Sequence, residues 1–245
     1  MDVILLSEPI HVDAPCFSGG FINVGGLLCV HVFVSHVTGY AAHLALTVYD
    51  HQYLHGIYFL TVPMFFLLGS VFSGAMSERR AIQNKPPVYI HILLFLSLSF
   101  AGLSVVGTWG FFGMFGKPLH DFHGYTLLCI LAFACGSQNA LFTNYSNSII
   151  RTTHLTGLTT DLGIGLAKYF IGKKQSEKKI NRIRIELICT FILGSIVGAY
   201  LFPAFEFYAF LIPCAISLTV GWGLFVSRKK LQLQQASHNF SRSQK

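Results

Sequence analysis

Charge is what this chain has least of. Asp, Glu, Lys and Arg make up 11% of its 245 residues, against about 25% in an ordinary soluble domain. Hydrophobic residues make up 53% and the mean hydropathy is +0.57, which excludes a soluble globular fold and implies a polytopic membrane protein. Its six cysteines lack any C-x-x-C spacing. Cys16, Cys29, Cys129, Cys135, Cys189 and Cys214 stand alone, all but the first inside apolar runs, so neither a disulfide framework nor a cysteine metal site is expected. Residues 1–18 lack lysine and arginine and carry Asp2, Glu8 and Asp13. That is the wrong charge for a secretory leader, so this polar segment is read as leading into a retained first span.

The charges that are present sit between apolar runs. The formal net charge is +7, which in a soluble protein would suggest nucleic acid. Here Arg79, Arg80 and Lys85 fill one gap, seven lysines and arginines fall between Lys168 and Arg184, and Arg228, Lys229, Lys230, Arg242 and Lys245 end the chain. That is the pattern of loops kept on the cytoplasmic side of a bilayer. The implied partner is lipid, not nucleic acid.

A helical crossing needs about 20 apolar residues, and on that scale six blocks can be drawn. They run approximately over 19–48, 53–74, 88–109, 124–171, 185–202 and 205–226, with a polar, unstructured tail over 227–245. The 124–171 block is long enough for one broken span or for a full span plus a re-entrant piece, leaving seven or eight spans as alternatives. The first and fourth blocks are interrupted by the same polar pattern. Ser35-His36-Val37-Thr38-Gly39 recurs as Thr153-His154-Leu155-Thr156-Gly157, and the seventh residue after each histidine is again ionisable, His43 and Asp161. Two further anchors repeat in the same order. Gly20-Phe21-Ile22-Asn23 matches Gly136-Ser137-Gln138-Asn139 upstream, and Phe66-Leu67-Leu68-Gly69-Ser70-Val71 matches Phe191-Ile192-Leu193-Gly194-Ser195-Ile196 downstream.

The reading is therefore an all-α integral membrane fold of about six transmembrane helices. It forms two inverted three-helix repeats, 19–109 and 124–226, with the first and fourth helices broken at S/T-H-x-T-G. An odd number of spans per repeat inverts the second copy across the bilayer. With the N-terminus inside, all three basic places and the C-terminus fall on the cytoplasmic side, and Lys117 is left as the only lysine or arginine outside.

The runs Phe33 to Gly39 and Arg151 to Gly163, with Gln138-Asn139-Ala140 ahead of the second, resemble the YoaK-like family of bacterial integral membrane proteins. The resemblance covers 19–226. The sequence departs from the family's usual pattern at Tyr40, where asparagine is common, and at Asn23, where aspartate is. The resemblance implies a multi-pass fold in the bacterial inner membrane and no particular reaction.

The residues themselves suggest a site. Ser, Thr and Gly inside an apolar run let a helix unwind, because the side chains re-satisfy freed backbone groups. Half-helix ends exposed in this way can hold a polar solute or ion. The expected solute- or ion-binding residues are Asn23, His36, Thr38, Gly39, His43, Asn139, Arg151, His154, Thr156, Gly157 and Asp161, on two faces that pseudo-symmetry would bring together near the bilayer centre. Asp161 inside a span costs about 2.5–3.5 kcal/mol on insertion scales, the histidines can relay protons, and Arg151 can pair with Asp161 or bind an anion. The function this supports is a small-solute permease or exporter, with proton coupling open to it. The competing reading is a scaffold or sensor in which Ser, Thr and Gly only pack helices, as the small pairs Gly69 with Ser73 and Gly194 with Gly198 are expected to do.

No enzyme activity and no cofactor are expected, and homo-oligomerisation is left open. The histidines outside the repeat, His51 and His55 after block one and His120 and His123 before block four, form only a weak metal pattern.

Overall fold

The structure, a computed structural model, describes residues 10–83, 89–116, 122–146, 152–153 and 155–243. Among these, all regular structure is helical. The elements are α1 (Ile10–Val30), α2 (Val37–Tyr49), α3 (Tyr53–Ile82), α4 (Tyr89–Thr108), α5 (Phe122–Tyr145), α6 (Leu155–Phe170), α7 (Ser176–Phe205), a 3₁₀ turn (Glu206–Phe210) and α8 (Leu211–Ser243). Five stretches are long and apolar enough to cross a bilayer: 13–30, 53–82, 89–108, 122–145 and 176–227. The last covers 52 residues, and Glu206, at φ 48°, interrupts it where α7 gives way to the 3₁₀ turn and α8.

Several boundaries differ from the sequence reading. α1 begins at Ile10, so half of the polar segment expected over 1–18 is helix, with Cys16 and Ser18 fully buried. The tail is helical to Ser243, in a stretch whose Lys, Leu, Gln and Ala favour helix. Block one is not a single span broken in the middle, and block four takes the second of its two alternatives. Each is a full-length helix, α1 or α5, followed by a shorter one. α2 has 13 residues and α6 has 16, about 20 and 24 Å long at 1.5 Å per residue, short of the roughly 30 Å hydrocarbon core.

What holds the helices together is backbone contact at four glycines. A Cβ on Gly20 would stand 2.0 Å from the Phe191 carbonyl oxygen, and one on Gly194 would stand 2.1 Å from that of Phe17. In the second pair of helices, Gly136 and Gly69 make the same approach to the carbonyls of Phe66 and Phe133, each at 2.1 Å. Because residue numbers rise together on both helices, from Phe17 with Gly194 to Gly25 with Phe202 and from His55 with Tyr125 through Thr61 with Cys129 to Gly69 with Ser137, α1 runs parallel to α7 and α3 to α5. Each crossing is tied by a serine. Ser195 Oγ donates to Gly20 O at 3.3 Å and Ser70 Oγ to Gly136 O at 3.2 Å, while Ser137 Oγ adds a bond to Gly69 O at 3.0 Å. In lipid, where burying apolar surface gives helices no advantage, such close packing and interhelical hydrogen bonding drive association.

The remaining contacts follow the same exchange. α2 packs on α3 and α6 on α7; α1 and α5 cross each other and reach α8 and α4, which pack together. α1 and α5 are accordingly the central helices, and their buried side chains meet those of α4 and α8 in one core that includes Phe21, Ile22, Leu96, Phe100, Leu131 and Phe142.

Substitution at these crossings separates close packing from mere glycine content. Gly136→Ala and Gly194→Ala, which drive a methyl into a carbonyl, should destabilise by about 3 kcal/mol or more. Gly74→Ala and Gly102→Ala, with nothing within 4 Å of the new methyl, should be neutral or stabilising by up to about 1 kcal/mol. Thermal unfolding of the purified variants in detergent measures the difference.

Candidate functional site

Each interruption returns the chain to the middle of the bundle. α6 runs antiparallel to α7, with Lys168 level with Glu177 and Gly165 against Asn181 and Arg184. Thirteen residues back from Lys168, its first residue Leu155 is level with about residue 190 of α7. Independently, a Cβ on Gly19 would lie 2.3 Å from Thr152 O, and the adjacent Gly20 abuts Phe191, the midpoint of the 30-residue α7. The first interruption behaves alike. His43 stacks on Phe59 and Gly56 meets Thr47, so the start of α2 is level with about residue 65, beside Phe66 at the middle of α3. Both short helices therefore begin at mid-height and point their positive N-terminal ends inward.

The first break is closed by its own residues. α1 stops at Val30, His31 takes φ 58°, and its Nε2–H donates to Gly116 O at 2.9 Å. Ser35 Oγ donates to Asn23 Oδ1 at 3.1 Å, and the Tyr40 hydroxyl donates to Phe33 O. Val34 fills the space above Gly26.

At the second break the described residues are bonded differently. Thr153 occupies the place of Ser35 and Asn139 that of Asn23, yet Thr153 Oγ1 and Asn139 Oδ1 are both buried without a partner among the described residues, as are Thr152 Oγ1 and Ser18 Oγ. They belong to three neighbouring segments, α1, α5 and residues 152–153. Gly19, next to Ser18, touches Thr152 and Thr153, and Gln138, next to Asn139, donates to Pro15 O at 2.9 Å. Thr152 is 1% and Ser18 1% exposed. Such groups are normally hydrogen-bonded, and each that is not calls for an explanation.

The expected site residues are divided by this arrangement. Asn23 and Asn139 lie on the central helices near the breaks. Thr38 with Gly39, and Thr156 with Gly157, fall in the first turns of α2 and α6. Their threonines, like His36 and His43, are exposed, and Asp161 is half-buried. α2 and α6 each pack on their own long helix and not closely on each other, so His36 and His43 on one side and Asp161 on the other belong to separate helix pairs. Arg151 and His154 lie outside the described residues. The outer histidines find aromatic neighbours: His51 Nδ1 is 3.1 Å from the Tyr53 hydroxyl, His55 Nδ1 3.4 Å from that of Tyr125, and His123 meets the edge of Phe111. His120 is outside the described residues.

Residues 14–223 match a family model described as Protein of unknown function (DUF1275). The chain belongs to this family. The DUF1275 match takes in both breaks, all four glycine crossings and nearly all of the apolar part of α8, and it agrees with the resemblance to YoaK-like membrane proteins. No curated protein and no solved structure matches the chain. Within this DUF1275 chain, sequence reading missed Ser18, Thr152 and Thr153. The signal available was the alignment of Thr153 with Ser35, one residue ahead of each histidine.

The unequal bonding of the breaks makes a stability prediction. Ser35→Ala removes a made hydrogen bond and should cost about 1 kcal/mol, whereas Thr152→Val or Thr153→Val removes a buried hydroxyl that has none and should leave the protein unchanged or more stable. Denaturation midpoints of the three variants decide between equal and unequal breaks.

Proposed function

We propose that this DUF1275 protein is a permease or exporter of a small polar solute in the bacterial inner membrane, with its binding site at the second break. The observation that carries the reading is the set of unpartnered oxygens of Ser18, Asn139, Thr152 and Thr153, buried at mid-height beside the end of a short helix. A polar solute entering there gains hydrogen bonds that the protein leaves open.

The architecture proposed for this is two inverted repeats of three spans. α1, α3 and α4 form one, α5, α7 and α8 the other, and α2 and α6 are re-entrant half-helices entering from opposite faces. The exchange of α1 for α5 and α3 for α7 among the helix contacts supports it, because a two-fold axis in the membrane plane generates such an exchange. The basic ends of α3, α7 and α8 are then all cytoplasmic. Irregular backbone at bilayer depth is tolerated where it is enclosed by protein or lines a water-filled cavity, and the burial of Val34, Ser35, Thr152 and Thr153 supports such enclosure. In this reading His36 couples transport to protons.

The scaffold reading has one observation in its favour. The exposed faces of α2 and α6, with His43 stacked on Phe59, suit contact with lipid or another protein as well as they suit a solute path.

Thiol accessibility in intact membranes separates the two. Single cysteines replace Thr38, Thr156 or Asp161, with Cys129, Cys189 and Cys214, the native cysteines not fully buried, changed to alanine. A solute path predicts labelling by membrane-impermeant reagents at Thr156 and Asp161 from the side opposite to Thr38, with rates that change with pH. Absence of labelling from both sides in folded protein would rule out the transport reading and leave the scaffold.

A further inference from the structure

The α2–α3 and α6–α7 pairs are one piece of architecture used twice, and only the second is charged. In the first, the Oγ1 of Thr47 and Cδ1 of Leu44 lie 2.8 and 3.1 Å from where a Cβ on Gly56 would stand, and the His43 and Phe59 rings stack at 4.8 Å. In the second, Gly165 admits Asn181 Oδ1 and Arg184 Nη1 at 2.0 and 2.5 Å from the same point. An antiparallel helix pair holds together at this place with no ion pair. The polar network between α6 and α7 is therefore surplus to packing.

Its hydrogen bonding is unbalanced toward donors. Asn181 is 4% exposed, and its Oδ1 accepts from Arg184 Nη1 at 2.9 Å. That bond fixes the amide, since turning it over would set two donors against each other. Nδ2 is left buried with its hydrogens unaccepted. Beside it, Arg184 and Lys168 stand 3.6 and 3.9 Å from the Glu177 carboxylate. At those lengths the carboxylate balances charge without filling their donor sites.

The position narrows the choice of acceptor. α7 has 30 residues, about 45 Å, and so overruns a hydrocarbon core of roughly 30 Å. Glu177 to Arg184 fall within about 12 Å of its N-terminal end, where the helix crosses from the hydrocarbon edge into the headgroup layer. Lys173, Lys174, Lys178 and Lys179 are exposed around the same end, where they draw in negative surfaces. An arginine fork with a neighbouring amide donor matches the paired oxygens of a phosphate.

We infer that the polar seam between α6 and α7 binds the phosphate of an anionic lipid headgroup. Arg184 and Asn181 Nδ2 are its specific donors, Lys168 adds charge, and Glu177 is an internal competitor for the same cations. The inference does not depend on transport.

The test is thermal unfolding of the full chain in neutral detergent, titrated separately with phosphatidylglycerol, phosphatidylcholine and inorganic phosphate. Phosphatidylglycerol alone should give a saturable rise in midpoint. Arg184→Gln and Asn181→Leu should raise its half-saturating concentration about tenfold, and Glu177→Gln should lower it. Should Arg184→Gln not fold, the opposite shifts of Asn181→Leu and Glu177→Gln carry the test. Two results overturn the inference. In one, inorganic phosphate reproduces the effect with the same residue dependence, making the ligand a free anion. In the other, Asn181→Leu and Glu177→Gln behave as wild type while neutralising Lys173, Lys174, Lys178 and Lys179 removes the effect, making it a property of the lysine surface.

Discussion

Direct backbone contact at Gly20, Gly69, Gly136 and Gly194 is the constraint from which the rest of this molecule follows. A bilayer offers helices no reward for hiding apolar side chains from one another, so their order must come from how closely they approach and what they hydrogen-bond. Four glycines seat four carbonyls, and Ser70, Ser137 and Ser195 bridge the gaps. With α1 held against α7 and α5 against α3 in parallel register, α2 and α6 can lie along the outer halves of α3 and α7. Their first turns then start at the middle of the bundle. The breaks are deep because the crossings are there.

Much of this was legible in the residues. Low charge and long apolar runs gave a helical membrane protein, and the two S/T-H-x-T-G copies marked where the helices stop. The anchors Gly20 with Gly136 and Gly69 with Gly194 were visible as repeats. Which anchor touches which was not, because self-similarity reports equivalence and not contact: Gly20 packs on the partner of its counterpart, in the other half of the chain. The same limit explains the dispersal of the expected site. His36, His43 and Asp161 share a helical spacing, but spacing fixes a face of α2 or α6 and says nothing about what that face meets. Apolar periodicity likewise could not place the start of α1, since residues 10–18 mix Asp13, Pro15 and Ser18 with buried neighbours.

Duplication supplies an internal control that single folds lack. Where the two copies share a contact, it is the frame; where they differ, something other than packing is being served. Asn23 and Ser35 satisfy each other, while Asn139 and Thr153 do not. Gly56 meets a threonine and a leucine, while Gly165 meets Asn181 and Arg184. Both departures fall in the second half, one at mid-height and one at the basic end.

The central claim is that the second break brings unpaired polar groups to the bilayer centre within reach of water. A spin label at position 153, with power saturation by oxygen and by a polar nickel chelate in reconstituted membranes, measures depth and wetness together. The account predicts a label at the depth of the bilayer centre that is nevertheless relaxed by the chelate. A label at interfacial depth, or a central one that the chelate does not reach, would contradict it.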